Sequence, residues 1–103
     1  MNSYIIEILK DNWGEKAETL NCFAEVRFFD PLSSWACYVF AMHKDERLIH
    51  CLLYSDALGA EIHTMDLEYI KTMYNEHGEP PQIDKEFRKT KVIELLRRLN
   101  NDT

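Results

Sequence analysis

The sequence has few residues that interrupt or cross-link a chain. Three glycines and three prolines among 103 residues leave no long linker, and no segment is repeated or of low complexity. We therefore expect a single domain over residues 1–103. The three cysteines, Cys22, Cys37 and Cys51, are odd in number and include no C-x-x-C pair. That count argues against a disulfide framework or a four-cysteine zinc site, and it favours reduced thiols in the cytoplasm.

Long uncharged apolar runs are also missing. The apolar stretch in residues 1–13 is broken by Glu7 and Lys10. A signal peptide or a membrane span needs a longer uncharged segment. We therefore expect neither, and no membrane partner.

Basic residues are scarce in most of the chain. Residues 1–84 hold 15 acidic and 6 basic side chains, whereas residues 85–103 hold 3 and 6, and the net charge is −6. Because an acidic body repels phosphate, we expect no direct binding to nucleic acid. The basic end is interpreted as a solvated helix face, with contact to an acidic partner as the alternative.

No motif for catalysis or cofactor binding is present. The chain lacks G-x-S-x-G, a phosphate-binding glycine loop, H-E-x-x-H and a dinucleotide fingerprint, so we predict no catalytic residue and no cofactor. The best metal candidates are His50, Cys51 and His63, on adjacent strands of one hairpin. Because neighbouring residues of a strand point to opposite faces, His50 and Cys51 do not easily bind one ion, and we predict no metal site.

Hydrophobic periodicity predicts an α+β fold. Strands are predicted over residues 22–29, 35–43, 47–55 and 60–64, with a short edge strand in 83–87. In the first strand, Cys22, Ala24, Val26 and Phe28 point one way and the alternate residues the other. The strand over 35–43 is apolar in both directions and is placed centrally. Local hairpins imply a small antiparallel sheet of four to five strands with helices on one face.

Three helices are predicted around this sheet. The first covers residues 4–12 and is capped by Ser3. The second follows the fourth strand: Thr64 caps it, and it runs to about His77 before Gly78 ends it. Its expected buried stripe consists of Met65, Tyr69, Ile70 and Met73. The last helix covers residues 91–100 after a cap at Thr90, with Val92, Leu95, Leu96 and Leu99 buried.

Aromatic residues concentrate in residues 28–40. Phe28, Val39 and Phe40 suffice to fill the space between sheet and helices, so the role of Trp35 stays open between core and ligand contact. Trp35 begins a strand beside the turn in residues 30–34, where its indole N–H needs a partner or water. If the ring is buried, we expect Trp35→Ala to lower stability by roughly 2–4 kcal/mol.

Three short motifs occur in a fixed order along the chain. They are V-x-F-F-D-P-x-x-x-W in residues 26–35, L-G-A-E-I-H-T-M-D-L-E in 58–68 and E-P-P-Q-I-D-K-E-F in 79–87. Together they resemble a domain-of-unknown-function family of bacterial plasmids, phages and conjugative elements. The resemblance covers roughly residues 22–88. It implies a setting in mobile genetic elements and their contest with host defence, and it supplies no reaction.

These observations support two classes of function. The first is a non-enzymatic binding protein of a mobile element that inhibits a host defence protein, such as a CRISPR–Cas effector or a restriction enzyme. Nine acidic residues lie between residues 45 and 84, and an acidic surface can occupy a basic nucleic-acid-binding surface on another protein. The residues predicted to bind this partner are Trp35, Asp56, Glu61, Asp66 and Glu68.

The second class is a small metal- or acid/base-dependent enzyme, or a nucleic-acid-processing accessory of a mobile element. It would use His50, His63 and nearby acids. An interaction module of conjugation is a third alternative, and the formation of a homodimer is left open.

Overall fold

The chain forms a five-stranded antiparallel sheet and a separate two-stranded ribbon, with helices around them. The computed structural model describes residues 1–101. Its helices are α1 (Ser3–Asn12), α2 (Glu15–Glu18), α3 (Leu67–Lys71) and α4 (Val92–Asn101). Its strands are β1 (Phe23–Ala24), β2 (Val26–Phe29), β3 (Ala36–Met42), β4 (Leu48–Ser55), β5 (Gly59–Asp66), β6 (Gln82–Ile83) and β7 (Thr90–Lys91). The sheet order is β5-β4-β3-β2-β6, and β1 pairs with β7. The predicted α+β class is confirmed.

None of the described helices combines the length and the apolar composition that crossing a membrane requires.

The central strand β3 is buried along its whole length, as predicted. Ala36, Tyr38 and Phe40 belong to a core cluster with residues of α2 and α4, and we call this side the α4 face. Cys37 and Val39 belong to a second cluster with residues of α1 and α3, on the α1 face. The prediction of helices on one face is wrong, because a strand that is apolar in both directions needs cover on both sides.

A bulge in β3 fixes the end of α1. Val39 pairs with Cys51 and Ala41 pairs with His50, so Phe40 has no partner in the ladder. The Phe40 carbonyl instead accepts a hydrogen bond from the buried side chain of Asn12, at 2.9 Å. This bond attaches the last residue of α1 to the centre of the sheet.

The start of α1 differs from the prediction by one residue. Asn2 is the N-cap, and its side-chain oxygen accepts a hydrogen bond from the Ile5 N–H at 2.9 Å. Ser3 is already helical. Both residue types cap helices, and only the backbone conformation decides between them.

The predicted strand over residues 22–29 is broken at Glu25. The four residues predicted to share one side are all buried, but Cys22 and Ala24 pack on the α4 face while Val26 and Phe28 pack on the α1 face. The break therefore gives β1 to the ribbon with β7 and β2 to the sheet.

The second predicted helix starts too early and ends too late. Thr64 lies inside β5, and the cap is Asp66, whose carboxylate accepts a hydrogen bond from the Glu68 N–H at 2.9 Å. The helix ends at Lys71. Within the expected stripe Ile70 is fully buried, but Tyr69 is exposed.

The boundaries at the C-terminal end of the fold also shift. The edge strand predicted in residues 83–87 lies instead at Gln82–Ile83, which pairs with β2. Thr90 is a residue of β7 rather than a helix cap, because it pairs with Ala24. The last helix begins at Val92, and Val92 and Leu95 are buried as predicted.

Candidate binding surface around Trp35

A hydrogen-bonded turn positions Trp35 at the start of β3. The Asp30 carboxylate accepts hydrogen bonds from the Leu32 N–H at 3.1 Å and from the Ser33 hydroxyl at 2.9 Å. The Ser33 hydroxyl oxygen accepts the Trp35 N–H at 3.2 Å. The Asp30 N–H donates to the Trp35 carbonyl at 3.2 Å, which closes the turn. These bonds explain why an aspartate and a serine precede the tryptophan.

The Trp35 ring is half-buried. It packs against the core cluster of the α1 face. Within residues 1–101 the indole N–H has no hydrogen-bond partner, and it is not sealed from water. The ring therefore contributes to the core while its polar edge remains available to a ligand or to solvent.

Two hollows meet at Trp35. The first, of about 270 Å³, lies against the β4–β5 hairpin. Besides Trp35 it is lined by Leu53, Tyr54, Ser55, Leu58, Gly59, Glu61 and His63. The second, of about 520 Å³, lies against α3 and the segment after it. It is lined by Asp30, Trp35, Tyr69, Thr72, Met73, Tyr74 and Asn75. We call the residues of both hollows the Trp35 surface.

Large side chains on this surface are open to solvent. Leu58 is 77% exposed, Tyr69 is 59% exposed and Tyr74 is 62% exposed. They surround a tryptophan that is itself accessible from both hollows. A contiguous apolar and aromatic surface of this kind is typical of protein or ligand contact sites.

A hydrogen bond between Asn75 and Asp30 lies at the edge of the second hollow. The Asn75 side chain donates a hydrogen bond to the Asp30 carboxylate at 3.0 Å. This bond, together with those from Leu32 and Ser33, lowers the pKa of Asp30. Asp30 therefore carries its negative charge at neutral pH beside the exposed rings.

Two of the predicted acids lie beside Trp35. Glu61 lines the first hollow together with His63, and its carboxylate is 3.7 Å from His63 Nε2. Asp56 lies in the adjacent β4–β5 turn, where its carboxylate accepts a hydrogen bond from the Tyr54 hydroxyl at 2.7 Å. Its N–H donates to the Ser34 hydroxyl oxygen at 2.8 Å, which ties this turn to the turn before Trp35.

The other two acids lie at the opposite end of the hairpin. Asp66 ends β5, which has eight residues, so it lies about 23 Å from the Asp56 turn at the usual rise of a strand. Its carboxylate pairs with Arg47 at 2.9 Å and caps α3. The Glu68 N–H and Arg47 lower the pKa of Asp66. The Glu68 carboxylate lies 3.8 Å from the Nζ of Lys71.

The five residues predicted to bind a partner therefore form two groups in the structure. Only Trp35, Asp56 and Glu61 come together.

The two histidines considered as metal ligands lie on opposite faces of the sheet. His50 is on the α4 face, stacked on Trp13 at 4.0 Å between ring centroids, with its Nδ1 2.8 Å from the Thr64 hydroxyl. Burial lowers the pKa of His50, and Glu18 partly opposes this. His63 is on the α1 face, opposite Cys51 in the ladder. No three His, Cys, Asp or Glu residues between positions 1 and 101 converge as metal ligands.

All three cysteines are free and buried. Burial raises the pKa of Cys22, despite the nearby Lys16. A hydrogen bond with Cys51, and then burial, raise the pKa of Cys37. A thiol with a raised pKa is protonated at neutral pH and is a poor nucleophile.

No protein-family model, no curated protein and no solved structure matches this chain. The family resemblance described above therefore stays a prediction.

Most of the Trp35 surface was not predicted. Only Trp35 and Glu61 among its lining residues were expected to bind a partner. Tyr69 was expected inside the core, and Tyr74 and Leu58 carried no signal of their own. The D-P-x-S-S-W segment is the one usable signal, because its turn residues indicate that Trp35 lies at the start of a strand.

Proposed function

We propose that this protein is a non-enzymatic binding protein that contacts another protein through the Trp35 surface. The observation that carries the proposal is the exposure of Leu58, Tyr69 and Tyr74 around the half-buried ring of Trp35. Large aromatic residues dominate the energetics of protein interfaces, and their exposure on a free monomer is unfavourable. A partner that covers these side chains would remove them from water.

The acids beside the surface specify the chemistry of the partner. Asp30, Asp56 and Glu61 lie at the edges of this surface. Among the described residues, none of these three carboxylates forms an ion pair with a lysine or an arginine. A partner with an apolar centre and surrounding lysine or arginine side chains complements this arrangement. Such basic side chains are frequent on nucleic-acid-binding surfaces.

The proposed partner is a host defence protein with a basic nucleic-acid-binding surface. The resemblance to a family of mobile genetic elements supplies this setting, and the acidic edge of the Trp35 surface agrees with it. In this proposal the protein inhibits a CRISPR–Cas effector or a restriction enzyme by covering the surface that holds DNA or RNA. It acts in the cytoplasm, where such enzymes act.

The test is a DNA-cleavage assay with purified CRISPR–Cas effectors and restriction enzymes. The protein is titrated into each reaction, beside a variant with Leu58→Ser, Tyr69→Ser and Tyr74→Ser. These side chains are exposed, so we expect the variant to keep its fold and circular dichroism spectrum. We expect inhibition by the wild type and its loss in the variant.

A matched control changes exposed apolar residues elsewhere. Tyr4 on α1 and Ile93 on α4 are both exposed and lie outside the Trp35 surface. Tyr4→Ser with Ile93→Ser should inhibit like the wild type. Equal inhibition by the Trp35-surface variant would remove this surface from the proposal, and no inhibition of any enzyme would remove the inhibitor function.

The alternative of a small enzyme built on His50 and His63 lacks a common site. The two imidazoles lie on opposite faces of the sheet, and the Nδ1 of His50 is engaged with Thr64. A single substrate cannot contact both rings.

A further inference from the structure

One edge of the sheet is formed by β5, and its backbone groups alternate between β4 and solvent. The Leu67 N–H donates to the Arg47 carbonyl at 2.7 Å, directly after the last pair of the ladder, Leu48 with Asp66. In an antiparallel ladder every second residue faces its partner strand. Residues 61, 63 and 65 therefore bond to β4, whereas residues 60, 62 and 64 point their N–H and C=O groups outwards.

The first outward residue is already occupied. The Asn100 side chain accepts the Ala60 N–H at 2.8 Å and donates to the Ala60 carbonyl at 3.2 Å. One amide of α4 therefore replaces a neighbouring strand at this position. Ile62 and Thr64 have no such cover: Ile62 is 40% exposed, and Thr64 is exposed. Two consecutive outward residues thus offer two donors and two acceptors.

We propose that a second copy of this chain pairs with this edge, β5 against β5, antiparallel and centred on His63. In that register Ile62 lies opposite Thr64 of the second copy, and Thr64 lies opposite Ile62 of the second copy. Both pairs are of the hydrogen-bonded kind, so four backbone hydrogen bonds form without displacing Asn100 from Ala60. A register centred on Ile62 would require Ala60 to pair, and Asn100 would then have to leave.

The side chains of β5 are complementary in this register. Glu61 lies diagonally across from His63 of the second copy, within reach of a long side chain, and the contact occurs twice by symmetry. Glu61 does not meet another carboxylate, because it lies opposite Met65 of the second copy. Asp66 falls outside the two hydrogen-bonded pairs, because Asn100 already occupies the position beside Ala60 of the second copy. Residues 59–66 carry neither lysine nor proline, two residue types that commonly prevent pairing at an edge strand.

The pairing has a geometric consequence for the Trp35 surface. A two-fold axis perpendicular to the sheet relates the two copies, so the same face of each copy points the same way. Both Trp35 surfaces then lie on one side of a continuous sheet. Glu61 and His63 of each copy lie next to the two-fold axis. The dimer does not depend on the function proposed above, because backbone groups form it.

The first test is sedimentation equilibrium of the full chain from low micromolar to near-millimolar concentration. We expect a monomer–dimer equilibrium. Ile62→Pro removes one outward donor from each copy and leaves the bonds to β4 intact. It should raise the dimer dissociation constant by roughly tenfold or more, while Ile62→Val should leave the constant nearly unchanged. The proposal would be overturned if the wild type stays monomeric, or if Ile62→Pro leaves the dimer dissociation constant unchanged.

The second test measures the register and does not rely on the proline variant. In a Cys51→Ala background, which removes the thiol opposite position 63, His63→Cys should form an intermolecular disulfide under mild oxidation. Opposed residues of a non-hydrogen-bonded pair have the separation that a disulfide needs. Leu58→Cys, exposed but outside the paired segment, should stay uncrosslinked. Equal crosslinking of the two variants would overturn the proposed register.

Discussion

Trp13 and Trp35 pack against opposite faces of one sheet and have different surroundings. Trp13 is stacked on His50 with an interplanar angle of 12° and meets the edge of His43 at 5.1 Å between centroids. Trp35 has no ring contact within residues 1–101, and it lines two open hollows. The fold therefore stacks an aromatic ring on Trp13, whereas among residues 1–101 no ring stacks on Trp35.

The largest expected effect that separates the two tryptophans is on stability. Trp13→Ala removes a stacked ring and its contacts in the α4-face cluster, so we expect a loss of about 3 kcal/mol. Trp35→Ala should cost about 1–2 kcal/mol, because Trp35 is half-buried like Trp13 but has no stacked ring to lose. Urea unfolding followed by circular dichroism gives both values. A larger loss for Trp35 than for Trp13 would contradict the comparison.

A second comparison uses two asparagines near these rings. Asn12 is buried and bonds the Phe40 carbonyl, whereas Asn75 bonds Asp30 at the edge of the Trp35 surface. Asn12→Ala leaves a buried carbonyl unsatisfied and should cost about 2 kcal/mol, and Asn75→Ala, where water can replace the bonds, should cost about 1 kcal/mol. Thermal unfolding of both variants checks the order, and equal losses would mean that water reaches Phe40.

The pH dependence of stability tests the Trp13 side through His50. Because burial lowers the pKa of His50 from its ordinary value of 6.5, the folded chain holds fewer protons than the unfolded chain at and below that pH. The contribution of His50 to the stability of the fold should be fully present above pH 6.5. It should be lost as the pH falls through the pKa of His50 in the folded chain. We expect the melting temperature to drop more in the wild type than in His50→Gln between about pH 7.5 and pH 5.5.

A control histidine separates this effect from general acid destabilisation. His77→Gln changes an exposed ring in the segment after α3, and it should keep the pH dependence of the wild type. The same pH dependence in His50→Gln would show that another group carries it.

The smallest effects on stability are expected for the acidic residues, both those beside Trp35 and those at the other end of the β4–β5 hairpin. Glu61→Lys, beside Trp35, should change stability by less than about 0.5 kcal/mol, since the side chain is exposed. Asp66→Lys should cost about 1 kcal/mol, because it removes a helix cap and the pair with Arg47. Chemical denaturation measures both.

The same two variants distinguish the groups in binding. Once a partner is identified, surface plasmon resonance should show slower association for Glu61→Lys and little change for Asp66→Lys. The opposite result would move the contact surface to the far end of the hairpin.

The strands could be predicted from the sequence because the alternation of apolar and polar residues along a strand shows which side chains are buried. Residues 35–43 are apolar in both directions, and that property places β3 at the centre. The boundary between β5 and α3 could not be predicted, since Thr64 and Asp66 are both good caps. In the fold Thr64 pairs with His50 in the ladder, and Asp66 caps the helix.

The candidate site was predictable only in part, for a related reason. Trp35 was identified by the turn before it, which is a local signal. The exposure of Tyr69 and Tyr74 depends on where the short α3 ends, and the separation of Asp56 from Asp66 depends on the length of β5. Both are properties of the assembled sheet, and no short stretch of sequence encodes them.

The ribbon of β1 and β7 has a consequence for the order of folding. Phe23 pairs with Lys91, and the Cys22 carbonyl accepts the Val92 N–H at 3.0 Å, so the ribbon joins segments far apart in the chain. The hairpins β3–β4 and β4–β5 close short loops and can form as soon as their residues leave the ribosome. The entropy of closing the long loop must be overcome before the ribbon exists. During synthesis α4 therefore cannot cover its face of the sheet until residues 90–101 have emerged, and until then only α2 and its neighbouring residues pack on that face.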